Sequence, residues 1–256
     1  MESEIRRGAV RLGLVETEAS LRLEVASRTD RGVHARANAL VLDAAVPGHA
    51  LLGALNGIAP DLWFDRAAQV PTDFRVRSAR RRMYRYFEPD PVGRRRDWAA
   101  AAALFHGSID VRSFGRGLPM DRPCLRDLEA IRLHWEAGFL VLDVRGRSFV
   151  WGMVRKIVGA LRAHAAGTLP LPEIQAALQG ELRLSLPMAE PESLVLWEVQ
   201  HGIRWTVPYT GRPRARMRRC TAEVRAARAR VRVLEALGAE GEERSRAGRA
   251  TPPGFL

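Results

Sequence analysis

The stretch LRLEVASRTDRGVHARANALVLD, Leu21–Asp43, decides how the chain is read. Its first six residues alternate apolar and polar side chains, the period of a half-buried strand, and ANALVLD from Ala37 reads as a second strand. Between them SRTDRG is a turn. It sets Asp30 at a strand end, where a tight turn holds a carboxylate rigid yet reachable, as a nucleophile requires. Asp ahead of a turn glycine also has a plainer use, bonding its own backbone, and the local pattern alone favours that use.

Outward from this stretch, His49–Ile58 has helical spacing and stops near a Gly and Pro60. A short strand follows at Trp63–Ala67. A basic strand, RRMYRYFE, runs from Arg81 to Glu88, with Tyr84 and Tyr86 on one face. The loop PDPVGRRRD, from Pro89, combines Pro, Gly and charge and marks a domain boundary. The second half opens with an Ala-rich helix, Asp97–Gly107. Strands at Leu128–Trp135 and Phe139–Val144 then flank an Ala137-Gly138 turn. FVWGMVRKIVGALRAHAAG, Phe149–Gly167, has the clearest helical period, with Val150, Val154, Ile157, Val158, Leu161 and Ala165 on one face. A helix at Pro172–Leu178 and a strand at Leu194–Val199 complete the half. Strands and helices alternate in each half, so an α+β (or α/β) chain of two related lobes is expected. The divisions are 1–92, 93–205 and an Arg-rich helical or disordered tail, 206–256. In that tail GRPRARMRR reads as an exposed linker, Cys220–Gly238 as a helix with a narrow apolar side, and the last residues, from Glu240, as disordered.

The 256 residues carry a net charge of +12, which points to a polyanionic partner. From Arg204 to Leu256 there are 13 Arg and 5 Glu, a net +8. Nearly all the positive charge is Arg, whose planar fork suits phosphate, and the only lysine is Lys156. Codon bias explains the choice of Arg over Lys but not the excess of positive charge. No apolar run approaches the roughly twenty residues of a membrane helix, and the opening MESEIRRGAV lacks the apolar core of a signal peptide. Cys124 and Cys220 form no CxxC pair, which argues against a disulfide framework or zinc site and fits a reducing cytoplasm. The histidines show no ligand spacing, and His34 reads as polar loop packing; no metal and no cofactor are expected.

Two further segments bear on chemistry. In RRRMYRYFEPD, Arg80–Asp90, arginines and a ring together can grip phosphate and stack a base, an interaction of about 1–3 kcal/mol per base. A core aromatic pair is the alternative, and it is expected to hold for one of the two tyrosines. In RGRSFVWGMVRKIVGAL, Arg145–Leu161, Arg155 interrupts an apolar helix face. A buried guanidinium is costly without a partner, so a carboxylate beside it is expected unless this is simply the solvated side of the helix.

Taken together these segments resemble the tRNA pseudouridine synthase A family. SRTDRGVHA is similar to the family's signature loop, usually GRTDAGVHA. LNGIAPDLWF, VPTDFRVRSARRRMYRY, SFG, SFVWGMVRKIVGAL and ESLVLWEV follow in the family's order, so the resemblance runs from about Glu2 to Val199. It implies two ferredoxin-like lobes of the pseudouridine synthase fold whose sheets meet around an RNA-binding cleft. It further implies a cytoplasmic homodimer acting on tRNA, without a cofactor, at uridines on the 3′ side of the anticodon arm. By resemblance, Asp30 is the catalytic aspartate, Tyr84 stacks on the target uracil, Arg155 pairs with Asp30, and Arg28 helps extrude the nucleotide. Arg77, Arg82 and Arg85 are candidate substrate contacts, with Leu142 and Val158 as apolar packing nearby. The chemistry breaks the bond from ribose C1′ to uracil N1 and rejoins the base through C5, so neither redox step nor energy source is needed. Unstacking the target base costs a few kcal/mol that stacking and phosphate contacts offset.

The chain departs from the family in three ways. It begins inside the helix that follows the family's usual first strand, ESEIRRGAVRLG being similar to that helix; a start codon further upstream is the expected cause. Ser27 and Arg31 replace the usual Gly and Ala of the loop. A non-catalytic RNA-binding descendant of the enzyme is the alternative function.

Overall fold

A computed structural model describes residues 2–44, 46–58, 62–119, 121–211 and 214–247, with the side chains of 214–216 and 235–247 left aside. In chain order the first elements are α1 (Glu2–Arg11), β1 (Leu23–Val25), β2 (His34–Ala35), β3 (Leu40–Leu42), α2 (Gly48–Ile58), β4 (Arg66–Ala67) and β5 (Arg81–Glu88). Then come α3 (Arg95–Ala103), β6 (Gly107–Asp110), β7 (Leu125–Glu136), β8 (Phe139–Gly146), α4 (Met153–Ala165) and α5 (Leu171–Gln179). A 3-10 turn (Pro191–Ser193) leads into β9 (Leu194–Gln200), followed by β10 (Val207–Pro208) and α6 (Arg214–Ala247). The expected α+β character is what the chain has. Pro60 and residues 248–256, to which a helix stop and disorder were assigned, lie outside the described residues.

The elements fall into two units. One comprises residues 19–44 and 70–204 and contains a six-stranded mixed sheet in the order β2-β9-β5-β8-β7-β6. β5 lies inside it, antiparallel to both β8 and β9. Its alternation explains the placement: Tyr84 and Tyr86 face the core, while Arg85 points to the other side. Against the core face pack α3, α4 and α5, and Trp98, Phe105, Leu142, Ile157 and Leu161 are at most 1% exposed. Each such side chain contributes about 1.5–3 kcal/mol on burial. β1 and β3 form a separate antiparallel pair in this unit, Val25 opposite Leu40. The Arg22 guanidinium closes its base. It donates to the Thr72 and Phe74 carbonyls and lies 3.9 Å from the Asp43 carboxylate.

The other unit comprises residues 1–18, 45–69 and 205–256. In it α1 packs on α2, the Asn56 amide exchanges two hydrogen bonds with the Phe64 backbone, and β4 pairs with β10. The 34-residue α6 contradicts the linker expected in GRPRARMRR and extends past Glu240, because Arg, Ala and Glu are strong helix formers. Met217, Val224, Val231 and Leu234 along it are more than half exposed.

Other boundaries moved by a few residues. The α4 helix starts at Met153 rather than Phe149, because Gly152 takes a left-handed conformation (φ 74°) that a helix interior does not accept. β2 was not anticipated. Two residues make too short a strand to show alternation, and its pairing with β9 is the one parallel contact of the sheet among the described residues.

Candidate active site

The Asp30 loop is held at both ends. Before it, the Ala26 amide donates to the Ala39 carbonyl, extending the β1–β3 pair, and the Asn38 side chain donates to the Ser27 carbonyl at 2.8 Å. The buried Arg82 guanidinium adds bonds to the Ala26 carbonyl (3.0 Å) and the Ser27 hydroxyl (2.8 Å). Ser27, a departure from the family pattern, is thus part of the staple. The turn itself closes with the Val33 amide on the Asp30 carbonyl at 3.1 Å. Gly32 sits at φ 90°, and a Cβ there would lie 2.8 Å from the Glu192 carboxylate, so both backbone and space demand glycine. After the turn, β2 fastens the chain to β9.

Arg155, in the first turn of α4, meets this loop. Its Nη1 lies 3.1 Å from Asp30 Oδ2, with the two side chains 15% and 23% exposed. Its Nε donates to the Ala189 carbonyl at 2.6 Å, and the Ala189 amide returns a bond to the Arg155 carbonyl. One guanidinium therefore ties the Asp30 loop to the segment before β9. That segment runs close to α4 at Gly159, where a Cβ would strike the Pro187 carbonyl at 2.1 Å. Tyr84, 7% exposed, stands beside them, its ring edge-on to Phe149 at 5.0 Å between centroids. Burial pushes its phenol up. The Ser27 hydroxyl and the Arg82 charge oppose that shift, and the Asp30 charge reinforces it. Asp30, Tyr84 and Arg155 are thus brought together from a loop, a strand and a helix.

The remaining arginines divide. Arg28 and Arg77 are exposed and form no ion pair with another described residue. Arg82 does not reach outward: two more bonds, to the Arg147 and Arg77 carbonyls at 2.6 and 2.7 Å, commit its guanidinium to the framework. Arg85 lies on the opposite sheet face, bidentate with Asp143 at 2.7 and 2.8 Å and stacked 4.1 Å from the Trp197 ring. Strand alternation turns it away from Tyr84. Leu142 and Val158 are fully buried in the core. His34 is exposed in β2, and no cluster of metal-ligating side chains occurs among the described residues.

A second layer, not anticipated from the sequence, lies farther along the same strand and helix. Arg162 Nη2 is 2.9 Å from both Glu88 Oε2 and Glu190 Oε2, and the Tyr86 hydroxyl donates to Glu190 at 2.9 Å. Burial, together with Glu190, pushes Tyr86 up to about 12, whereas Arg162 foremost holds Glu190 down to about 2. Burial pushes Glu88 up against the opposing pull of Arg162. The signal was spacing: Arg162 is seven residues beyond Arg155, two helical turns, and Glu88 continues the alternation of Tyr84 and Tyr86.

The chain is similar to known proteins over most of its length. A family model described as tRNA pseudouridine synthase matches residues 101–201. The tRNA pseudouridine synthase A of Thermococcus onnurineus is 36% identical over 203 residues, covering 78% of this chain and 76% of its own. That of Thermococcus kodakarensis is likewise 36% identical over 203 residues, covering 78% and 76%. That of Methanosphaerula palustris is 33% identical over 247 residues, covering 95% and 86%. With these identities over most of its length, the chain belongs to the tRNA pseudouridine synthase A family.

Proposed function

We propose that this protein isomerises uridine to pseudouridine in tRNA, with Asp30 as nucleophile. The observation that carries the reading is the 3.1 Å contact between Asp30 and Arg155, partners 125 residues apart in sequence. In this role Arg155 steers the carboxylate toward the flipped nucleotide, and Asp30 attacks at C1′ or at uracil C6. The bond from ribose C1′ to uracil N1 breaks, the base turns, C5 bonds to C1′ as the Asp30 carboxylate is set free, and C5 gives up its proton while N1 takes one. Tyr84 packs on the uracil. Since the ring is 7% exposed, a stacked base would displace part of what covers it, Phe149 being in reach. Arg28 and Arg77, both exposed, are free to meet phosphates around the extruded nucleotide. The net charge of +12 supports an RNA substrate. Targets on the 3′ side of the anticodon arm, a cytoplasmic setting and a homodimer belong to the same proposal and rest on family resemblance.

The test is incubation with unmodified tRNA followed by chemical mapping of pseudouridine. Wild type is expected to form product and Asp30→Ala to lose at least about 10³-fold in rate while still binding tRNA. Product surviving in Asp30→Ala would remove Asp30 from the mechanism; tight binding without product in wild type would leave an RNA-binding protein.

A further inference from the structure

Beside the site, on another flank of α4, lies a second feature with its own charge and architecture. Residues of the segment 112–118, residues 183–185 and the α4 residue Lys156 line an open pocket of about 400 Å³. It is built rather than incidental. The Ser113 hydroxyl accepts the Leu184 amide at 3.1 Å, which fastens the first segment to the second. Lys156 Nζ donates to the Ser113 and Gly115 carbonyls at 3.3 and 3.1 Å, which fastens the first to the helix.

The pocket's charge is one-sided. No Asp or Glu lines it, while Arg112, Lys156 and Arg183 do. Arg112 is matched by Asp110 at 2.6 Å. Lys156 is not matched: it has used two of its three protons on carbonyls and forms no ion pair among the described residues. Burial and the neighbouring Arg116 charge both push its ammonium below the usual lysine value. Arg183 is less provided for still. Its Nη1 is cut off from solvent with no hydrogen-bond partner. A buried guanidinium N–H without an acceptor costs about 1–3 kcal/mol, so no protein acceptor neutralises Arg183 either.

We infer that this pocket is an anion subsite that seats a backbone phosphate of the bound RNA between Lys156 and Arg183. A phosphodiester oxygen accepts the spare Lys156 proton, the Arg183 guanidinium that also lines the pocket supplies a second positive charge, and the group fits the volume. The location gives the contact a use. Lys156 follows Arg155 in the chain, so a strand anchored there is held one helix residue from the partner of Asp30. The inference rests on RNA being the substrate but not on Asp30 being the nucleophile.

Binding of labelled unmodified tRNA, measured across a salt series, tests it. Lys156→Met and Arg183→Gln are each expected to weaken binding and to make the slope of log affinity against log salt shallower by about 0.7–0.9, one phosphate contact. Thermal unfolding of the same samples discriminates function from structure. Arg183 gives up no partner, so Arg183→Gln is expected to melt no lower than wild type while binding RNA less well. A lysine that only closes the Ser113–Gly115 turn would lower the melting temperature in Lys156→Met and leave the salt slope intact, overturning the inference. So would inorganic phosphate raising the wild-type melting temperature above a chloride control of equal ionic strength while both variants keep the wild-type RNA slope, since the pocket would then serve a free anion. Asp30→Ala is expected to keep the full slope, so failure of the catalytic reading is told apart from failure of this one.

Discussion

At the scale of single residues, Arg155 has two jobs that only its shape allows. Nη1 addresses Asp30 while Nε holds the Ala189 carbonyl. Lysine keeps the charge but not the fork. Arg155→Lys is therefore expected to retain tRNA binding and to lose about 10²-fold in kcat, the scale on which small misplacements of a reacting group act. Single-turnover kinetics at saturating tRNA check this, and a rate within a few-fold of wild type would mean that charge alone suffices. A carboxylate partner for Arg155 was accessible to sequence reasoning because an arginine among Val154, Ile157 and Val158 demands one, while its identity as Asp30 came from family resemblance. The surroundings of Arg82 and Arg85 were not legible for the opposite reason. Arginine alone does not tell whether its donors go outward to a phosphate or inward to four protein acceptors, and that is decided by which carbonyls the fold places around it.

At the scale of elements, β5 and α4 work as facing rails. Tyr84, Tyr86 and Glu88 alternate along the strand, while Arg155 and Arg162 are spaced two turns apart on the helix. The far rung sets a pH signature. Glu190, held low, adds stability at pH values above the usual carboxylate range and gives it up as pH falls toward about 2. Glu88, pushed up by burial, works the other way, favouring the fold when protonated and losing that contribution as pH rises through its raised value. Arg162→Met leaves the 4%-exposed Glu88 carboxylate buried without its cation, at a cost on the order of 3 kcal/mol at neutral pH. The stability gap from wild type should shrink as pH drops and Glu88 takes a proton. Chemical denaturation at pH 7.5 and near pH 5 measures it, and a gap that stays constant would contradict the account. This rung could be foreseen from spacing but not from residue type. Glu190 belongs to it through a loop whose path Gly159 permits, and nothing local announces that approach.

At the scale of the whole chain, charge is concentrated at the end. Residues 212–256 carry 12 Arg and 5 Glu, and α6 keeps its described side chains in solvent. If these arginines meet RNA, removing the segment should weaken tRNA binding and its salt dependence while leaving kcat at saturating tRNA within a few-fold; an unchanged salt slope would make α6 a solvated appendage. Long-range assembly was the least legible property. Alternation and helical period marked most elements, but the two-residue β2 and the gathering of residues 1–18, 45–69 and 205–256 into one unit depend on tertiary pairing that no local pattern encodes.

The Arg22 clamp has a practical corollary. Asp43 and Thr72 grip one guanidinium, so the backbone leaves and re-enters the Asp30-bearing unit through a common doorway, and the intervening residues form a detour. Starting at residue 19, splicing residue 44 to residue 70 with a short glycine–serine bridge and ending at residue 204 should yield a minimal body that melts in one cooperative step. Circular dichroism during heating would show this, and a broad, non-cooperative loss of signal would mean that the excised detour is a structural necessity.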